Sequence, residues 1–315
     1  MQLVRQKGQR VSKRARIVLG ALLVAALGTA CAAETGAGGA GAGAGGRAGP
    51  AAGQQAQRPP NASDALTAYV ERTRRAQAAR VLAARKWGLR ATPLAAPPPP
   101  APGDKPHITF RRGFEVGDPT LPPVFTTVPT TDRVVFLTID DGAEKDPRLL
   151  RMMAELGIPY SAFLSDYLVK EDYGYFKRMQ DQGVALHNHT LNHRYMPALS
   201  YEEQKHEICG QQATIEKRYG KRPTLFRPPY GNYNADTLRA ARSCGVTAVP
   251  LWAAEAFPDH MEWREWDRDL HPGDIILTHF RGREDWNGTM PDMIRQVMDV
   301  VTAKGYAVAR LEDYV

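Results

Sequence analysis

The sequence predicts an α/β protein whose main domain is a deformed (β/α)7-type barrel, preceded by a signal peptide and a low-complexity stalk. Beyond residue 105, short apolar runs alternate with segments of helical periodicity, which is typical of parallel strands joined by helical crossovers. Seven such units favour a barrel over an open sheet. Because no glycine-rich phosphate loop follows a strand, we expect no nucleotide cofactor.

The first 31 residues have the composition of an export signal. Six basic residues and no acidic ones precede an apolar run over 17–27, and small residues then lead to Cys31. The run is too short to cross a bilayer comfortably, so it indicates a signal peptide rather than a spanning helix. The small residues before Cys31 resemble a bacterial lipobox, although Gly28 stands where that motif prefers leucine. We therefore predict a lipid on Cys31 that holds the protein on the outer face of the cell membrane, with ordinary secretion as the alternative.

Most of the net charge of +7 belongs to this segment. Residues 32–315 hold 35 basic and 34 acidic residues, so no nucleic-acid partner is expected for the mature chain. If Cys31 carries lipid, Cys209 and Cys244 either form a disulfide in an oxidising compartment or remain two separate buried thiols. We expect the protein to be an extracytoplasmic monomer.

Residues 32–105 are predicted to form a flexible stalk. Residues 32–58 are almost entirely Gly, Ala and Gln, a composition typical of a tether. One helix is predicted at about 63–87, and it either packs on the main domain or lies on a surface. A stiff proline-rich spacer follows over 96–102.

The main domain is assigned to residues 106–315. Apolar runs rich in β-branched and aromatic residues predict strands at Val134–Ile139, Tyr160–Leu164, Val184–His187, Leu225–Arg227, Thr247–Leu251, Asp274–His279 and Tyr306–Arg310. Helical periodicity predicts helices at Pro147–Glu155, Asp172–Gln182, Tyr201–Tyr219, Ala235–Ser243 and Pro291–Lys304. In such folds the catalytic side chains gather at the carboxyl ends of the strands.

Two adjacent acids follow the first long strand. The apolar run Val134–Ile139 leads directly into Asp140, Asp141 and Gly142. A strand buried on both faces explains the run, and the acids are expected on a turn at its carboxyl end. An isolated Asp-Asp-Gly is most often a solvated turn, so its meaning depends on the motifs that follow.

Three further motifs follow at later strand exits. His189 and His193 are four residues apart, so on a helical turn they would project from one face and hold one metal ion. Arg227 and Tyr230 belong to an Arg-Pro-Pro-Tyr-Gly segment, in which two prolines fix the directions of both side chains. His279 ends another apolar strand. Each motif alone is equally well explained by ordinary surface or core residues.

The order Ile-Asp-Asp-Gly, His-Thr-x-x-His, Arg-Pro-Pro-Tyr and Leu-Thr-His resembles the motifs of the polysaccharide deacetylase family, the NodB-homology domains of carbohydrate esterase family 4. The resemblance covers about residues 130–315 and leaves the stalk unexplained. It implies a hydrolase that removes N-acetyl groups, with O-acetyl groups as a further option, from an N-acetylated polysaccharide such as peptidoglycan or a chitin-like glycan.

The resemblance also implies roles for the motif residues. Asp141, His189 and His193 would bind a divalent metal, usually Zn²⁺, with Co²⁺ or Ni²⁺ as alternatives. The metal would polarise the acetamide carbonyl and lower the pKa of its bound water. Asp140 would be the general base that takes a proton from that water, and His279 the general acid that protonates the departing amine.

Two more roles concern groups around the base. The backbone amide of Tyr230 would complete an oxyanion hole with the metal. Arg227 would orient the carboxylate of Asp140 and keep it ionised, because a nearby positive charge favours the charged form of an acid.

The sequence departs from the family pattern at three positions, of which Ile139, in place of the usual phenylalanine before the acid pair, is a conservative apolar exchange. Glu255 follows Trp252 where the family usually supplies an aspartate, and it would partner His279, Arg227 or neither. His187 stands two residues before the first predicted histidine ligand, as a supporting group or as a competing ligand.

Two other functions remain alternatives. The first is a glycan-binding pseudoenzyme on the same fold, which the missing aspartate favours slightly. The second is an iron oxygenase that uses Asp141, His189 and His193 as a two-histidine, one-carboxylate triad. That chemistry needs neither a second aspartate beside the ligand nor a distal histidine, so the deacetylase is the favoured interpretation.

Overall fold

The structure, a computed structural model, describes residues 62–108, 118 and 120–315. The predicted signal peptide, the lipobox at Cys31 and the tether over 32–58 lie outside the described residues. Among the helices that the structure describes, none combines the length and apolar character that crossing a bilayer requires.

A mostly parallel sheet of seven strands forms the centre of the domain. Its strands are β2 (Val134–Asp141), β3 (Ser161–Leu164), β4 (Ala185–Asn188), β6 (Ala254–Ala256), β7 (Met261–Trp263), β8 (Ile275–His279) and β9 (Ala307–Ala309). Hydrogen-bonded neighbours follow the order β4-β3-β2-β8-β6-β7, and β9 pairs with the start of β2. A separate parallel pair joins β1 (Val124–Phe125) to β5 (Val249–Pro250).

Helices cover the outside of the sheet. They are α1 (Ala62–Lys86), α2 (Pro147–Leu156), α3 (Asp166–Val169), α4 (Tyr173–Asp181), α5 (Tyr201–Tyr219), α6 (Ala235–Ser243) and α7 (Met290–Ala303). Helix α2 shows why these segments are helical: Asp146 caps its first turn, Pro147 occupies the first position and Gly157 ends it in a left-handed conformation. Its buried residues recur three or four apart and face the sheet.

Strand β2 lies in the middle of the sheet, and all eight of its residues are buried, as expected for a strand covered on both faces. Its pairing with β8 places Asp140 opposite His279 in the parallel register. The two motifs are therefore brought to the same sheet edge by strand pairing alone.

Two strand predictions were wrong in extent. No strand forms at Leu225–Arg227, which makes only single bridges to Asn188 and Ala248. The strand predicted at Thr247–Leu251 is reduced to β5. Pro228 directly follows the first of these segments, and proline has no backbone N–H with which to continue a ladder. The short strands β6 and β7, an antiparallel pair, were not predicted.

The sequence left open whether α1 packs on the main domain, and its C-terminal end does so. Ala83 and Ala84 are buried in the main core, and Lys86 forms an ion pair with Glu155 of α2 at 2.6 Å. The first part of α1 is exposed. The two alternatives for the cysteines are also resolved, because a disulfide joins Cys209 on α5 to Cys244 at the end of α6.

Candidate active site

A cavity of about 450 Å³ opens at the carboxyl edge of β2 and β8. Six of the seven predicted site residues line it: Asp140, Asp141, His189, His193, Tyr230 and His279. The seventh, Arg227, is fully buried behind Asp140. A larger cavity, of about 680 Å³, lies near the amino ends of β3 and β4 beneath residues 94–99, away from these motifs.

Asp140 and Asp141 are the last two residues of β2 rather than part of a turn, which corrects the prediction. Neighbouring side chains of a regular strand point to opposite faces. Here Asp141 has a positive φ of 80°, which changes the direction of the chain so that both carboxylates line the cavity. Gly142 follows with a φ of 98°, and a Cβ there would lie 2.7 Å from Val169. The glycine therefore permits the close packing that holds the acids in place.

The two histidines lie on a loop and not on a helical turn, so that part of the prediction was wrong. The loop follows β4, and Thr190 and His193 have positive φ angles of 70° and 53°. Side chains stabilise this shape: the Asn188 carboxamide accepts a hydrogen bond from Thr190 N, and the Thr190 hydroxyl accepts one from His193 N. Such local side-chain bonds compete with helix formation.

Asp141, His189 and His193 offer ligand atoms that all lie within 4.8 Å of one another. His189 Nδ1 donates to the carbonyl oxygen of Arg227 at 2.7 Å, which leaves Nε2 with a free lone pair. Asp141 Oδ1 is buried without a hydrogen-bond partner and lies 3.6 Å from His189 Nε2 and 3.2 Å from His193 Nε2. A buried carboxylate oxygen facing two imidazoles fits a divalent metal such as Zn²⁺.

The protonation of these groups also suits a metal. Burial lowers the pKa of His189 to about 3, so its imidazole is neutral at neutral pH. Burial alone would raise the pKa of Asp141, but the neighbouring histidines, His193 above all, outweigh it and hold that pKa below the usual range. Neutral imidazole and ionised carboxylate are the forms that ligate metals.

Asp140 is held by Arg227. One guanidinium nitrogen of Arg227 donates to Asp140 Oδ1 at 2.8 Å and to the Thr138 hydroxyl at 2.9 Å, and Nε donates to the carbonyl of Pro250. Burial raises the pKa of Asp140 to about 6, against the opposing effect of Arg227. The carboxylate is therefore a stronger proton acceptor than an exposed aspartate but still ionises near neutral pH.

Glu255 contacts the predicted acid. Its Oε1 lies 3.4 Å from His279 Nδ1, so of the partners left open by the sequence the structure places it beside the histidine. Burial and the neighbouring Glu262 raise the pKa of Glu255 to about 7, whereas burial lowers the pKa of His279. Trp252 lines the same cavity.

One residue at the site was missed by the sequence analysis. Arg281, two residues after His279, lines the cavity and donates to Asp141 Oδ2 at 2.7 Å. In the sequence, Arg281 is only a basic residue after the last motif. Its contact with Asp141 could not be predicted, because the pairing of β8 with β2 is not visible in the sequence. Arg281 thus holds the outer oxygen of Asp141, while the inner oxygen faces the histidines.

His187 does not line this cavity. Its Nε2 is 2.7 Å from Glu312 Oε1, and its ring packs 5.1 Å from that of Phe163. Neither of the two roles considered from the sequence, a supporting group or a competing ligand at the metal cluster, matches these contacts.

Comparisons with known proteins agree with the motifs. The family model for polysaccharide deacetylase matches residues 127–249. An uncharacterised protein of Streptomyces coelicolor is 40% identical over 195 residues, which cover 62% of this chain and 78% of that protein. A peptidoglycan-N-acetylglucosamine deacetylase of Bacillus cereus is 27% identical and covers 50% of this chain and 77% of its own length.

The fold agrees as well. A solved carbohydrate esterase family 4 pseudoenzyme from Bacillus anthracis superposes with a TM-score of 0.53 at 22% identity, over 61% of this chain and 69% of that one. This likeness confirms the predicted deformed (β/α)7 barrel. The family model and the named deacetylases among the relatives together show that the chain carries the domain of the polysaccharide deacetylase family, a family of hydrolases.

Proposed function

We propose that this protein is a metal-dependent hydrolase that removes N-acetyl groups from a cell-wall polysaccharide, with peptidoglycan as the leading candidate. The observation that carries the proposal is the convergence of Asp140, His279 and the Asp141–His189–His193 cluster on one cavity. Relatives from Bacillus are named peptidoglycan deacetylases, which supports this substrate class.

The cluster would hold the metal, most often Zn²⁺, with Co²⁺ or Ni²⁺ as alternatives. The metal would supply Lewis-acid activation of a water molecule and of the acetamide carbonyl. The protein itself supplies the base: Asp140 Oδ1 is engaged by Arg227, so Oδ2, on the side of His189, takes the proton from the attacking water. The backbone amide of Tyr230 donates to the oxygen that becomes negative.

Collapse of the tetrahedral intermediate breaks the C–N bond and requires a proton on the leaving nitrogen. His279 Nδ1 lies beside Glu255, so Nε2 is the nitrogen that delivers this proton. The products are acetate and a free amine on the sugar. An ionised Glu255 favours the protonated imidazole and so opposes the effect of burial, which lowers the pKa of His279.

Acetate release tests this function. The purified, Zn²⁺-loaded protein is expected to release acetate from N-acetylglucosamine oligomers or from peptidoglycan, with one new primary amine for each acetate. Glycan binding without any acetate from either substrate would instead support the pseudoenzyme, and acetate without new amines would indicate ester cleavage.

We also propose that the protein acts outside the cytoplasm, anchored by a lipid on Cys31. The predicted lipobox and the cell-wall relatives support this location. Replacing Cys31 by serine is expected to move the protein from the membrane fraction to the soluble fraction or the medium. An unchanged distribution of this variant would contradict the anchor and favour ordinary secretion.

A further inference from the structure

Helix α5 buries a polar stripe beside its buried apolar residues Ile208 and Ile215. Four polar residues on its inner face are at most 2% exposed: Gln204, Glu207, Gln211 and Gln212. Buried polar groups are costly unless they are hydrogen-bonded, so this face must have specific partners. Two of these partners, Asn188 and Asn192, lie at the start of and within the loop that carries His189 and His193.

The contacts of α5 with this loop are numerous. Asn188 donates its side-chain amide to the carbonyl of Ile208 and to Gln212 Oε1. Leu191 N donates to the carbonyl of Glu207. The helix also approaches closely at Gly210, where an added Cβ would lie 2.5 Å from the side chain of Leu191. The loop therefore rests directly on the helix.

Glu207 makes the strongest of these contacts. Its carboxylate accepts hydrogen bonds from Asn192 N at 2.8 Å and from the Asn192 side-chain amide at 2.9 Å, one on each oxygen. At 2% exposure this charge is shielded from water, and hydrogen bonds to a charged group are stronger than neutral ones. Asn192 immediately precedes His193, so Glu207 fixes the backbone from which that side chain extends.

This part of the loop needs such support. The described residues include five non-glycine residues with positive φ, and Thr190 and His193 are two of them. Such conformations persist only where surrounding contacts impose them. Without Glu207, Asn192 would lose both bonds, and the loop could relax away from the geometry that brings His193 Nε2 to Asp141.

We propose that Glu207 is a positioning residue that sets the metal affinity of the site by fixing the loop that carries His193. The inference rests on the proposed metal site but goes beyond it, because Glu207 is not among the residues that line the cavity. Partners that orient metal ligands typically contribute ten- to a hundredfold in affinity.

The test measures Zn²⁺ affinity by competition with a chelator of known affinity, at a temperature where each variant is folded. Glu207→Ala is expected to weaken Zn²⁺ binding about ten- to a hundredfold, and Glu207→Gln by less, because the amide oxygen still accepts one bond. Asn192→Ala removes the side-chain bond to Glu207 and keeps the bond from the backbone N–H. In the double variant, the decreases in Zn²⁺ affinity caused by Asn192→Ala and by Glu207→Ala are expected not to add.

Glu203→Gln is the matched control. Glu203 lies one turn earlier on α5, where it forms a capping box with Ser200 on the exposed helix end. Its replacement is expected to lower thermal stability and leave Zn²⁺ affinity within twofold of the wild type. A variant of Glu207 that folds and binds Zn²⁺ as tightly as wild type would overturn the inference, as would fully additive losses. Failure of the wild type to bind Zn²⁺ would instead refute the metal site itself, and this inference with it.

Discussion

Replacing Asp140 by asparagine is expected to reduce acetate release by about 10²–10⁴-fold while Zn²⁺ binding is retained, because a general base typically contributes a factor of this size. The variant keeps Asp141, His189 and His193, and the asparagine oxygen still accepts the hydrogen bond from Arg227. It loses the ionised oxygen that receives the proton from water. The measurement is the turnover number on an N-acetylglucosamine oligomer, together with the Zn²⁺ content of the purified variant.

The control for this prediction is stability. Asp140 and Arg227 form a buried ion pair at 2.8 Å, and breaking such a pair can cost about 3–5 kcal/mol. Thermal unfolding must therefore show that the variant is folded at the assay temperature. A folded, Zn²⁺-bearing variant with turnover within tenfold of wild type would show that another group acts as the base.

Replacing His279 by alanine is expected to slow amide hydrolysis about 10²–10⁴-fold and to slow hydrolysis of an aryl acetate far less. The amine of an amide leaves only when protonated, whereas a phenolate leaves without a proton. Parallel assays with an N-acetylglucosamine oligomer and 4-nitrophenyl acetate measure this difference. Equal losses on both substrates would contradict the role of His279 as the acid.

Glu255→Gln provides a graded test of the same acid. Because an ionised Glu255 at 3.4 Å favours protonated His279, its removal is expected to lower the pKa of His279. The high-pH limb of kcat/KM should then move to lower pH. Glu262→Gln is the matched control, since Glu262 pairs with Glu255 in the β-ladder but is itself exposed. It is expected to leave the limb unchanged or to move it to higher pH, because Glu262 raises the pKa of Glu255.

The sequence predicted the elements whose signals are local. Helices α5 and α6 begin and end at the predicted residues, and β2 is only two residues longer than predicted. Helix caps and apolar runs mark these segments directly in the sequence. The order of the motifs was enough to select the site residues. Strand pairing then brings Asp140 and His279 together in register, as the parallel barrel requires.

What the sequence did not reveal depends on contacts between distant segments. Arg281 reaches Asp141 only because β8 lies beside β2, and Glu207 reaches the loop of His193 only because α5 packs against it. The spacing of His189 and His193 was interpreted as a helical turn, but side-chain bonds from Asn188 and Thr190 impose left-handed backbone there instead. Such local exceptions are typical of functional sites.

Zn²⁺ titration of the metal-stripped protein tests the central claim most directly, with acetate release from an N-acetylglucosamine oligomer measured after each addition. The proposed site predicts no release before metal is added, and a rate that rises to a plateau at one Zn²⁺ per chain. Full acetate release by the stripped protein in the presence of chelator would contradict a metal-dependent mechanism. Stoichiometric Zn²⁺ binding without any acetate release would contradict the assignment of Asp140 and His279 as a working base and acid.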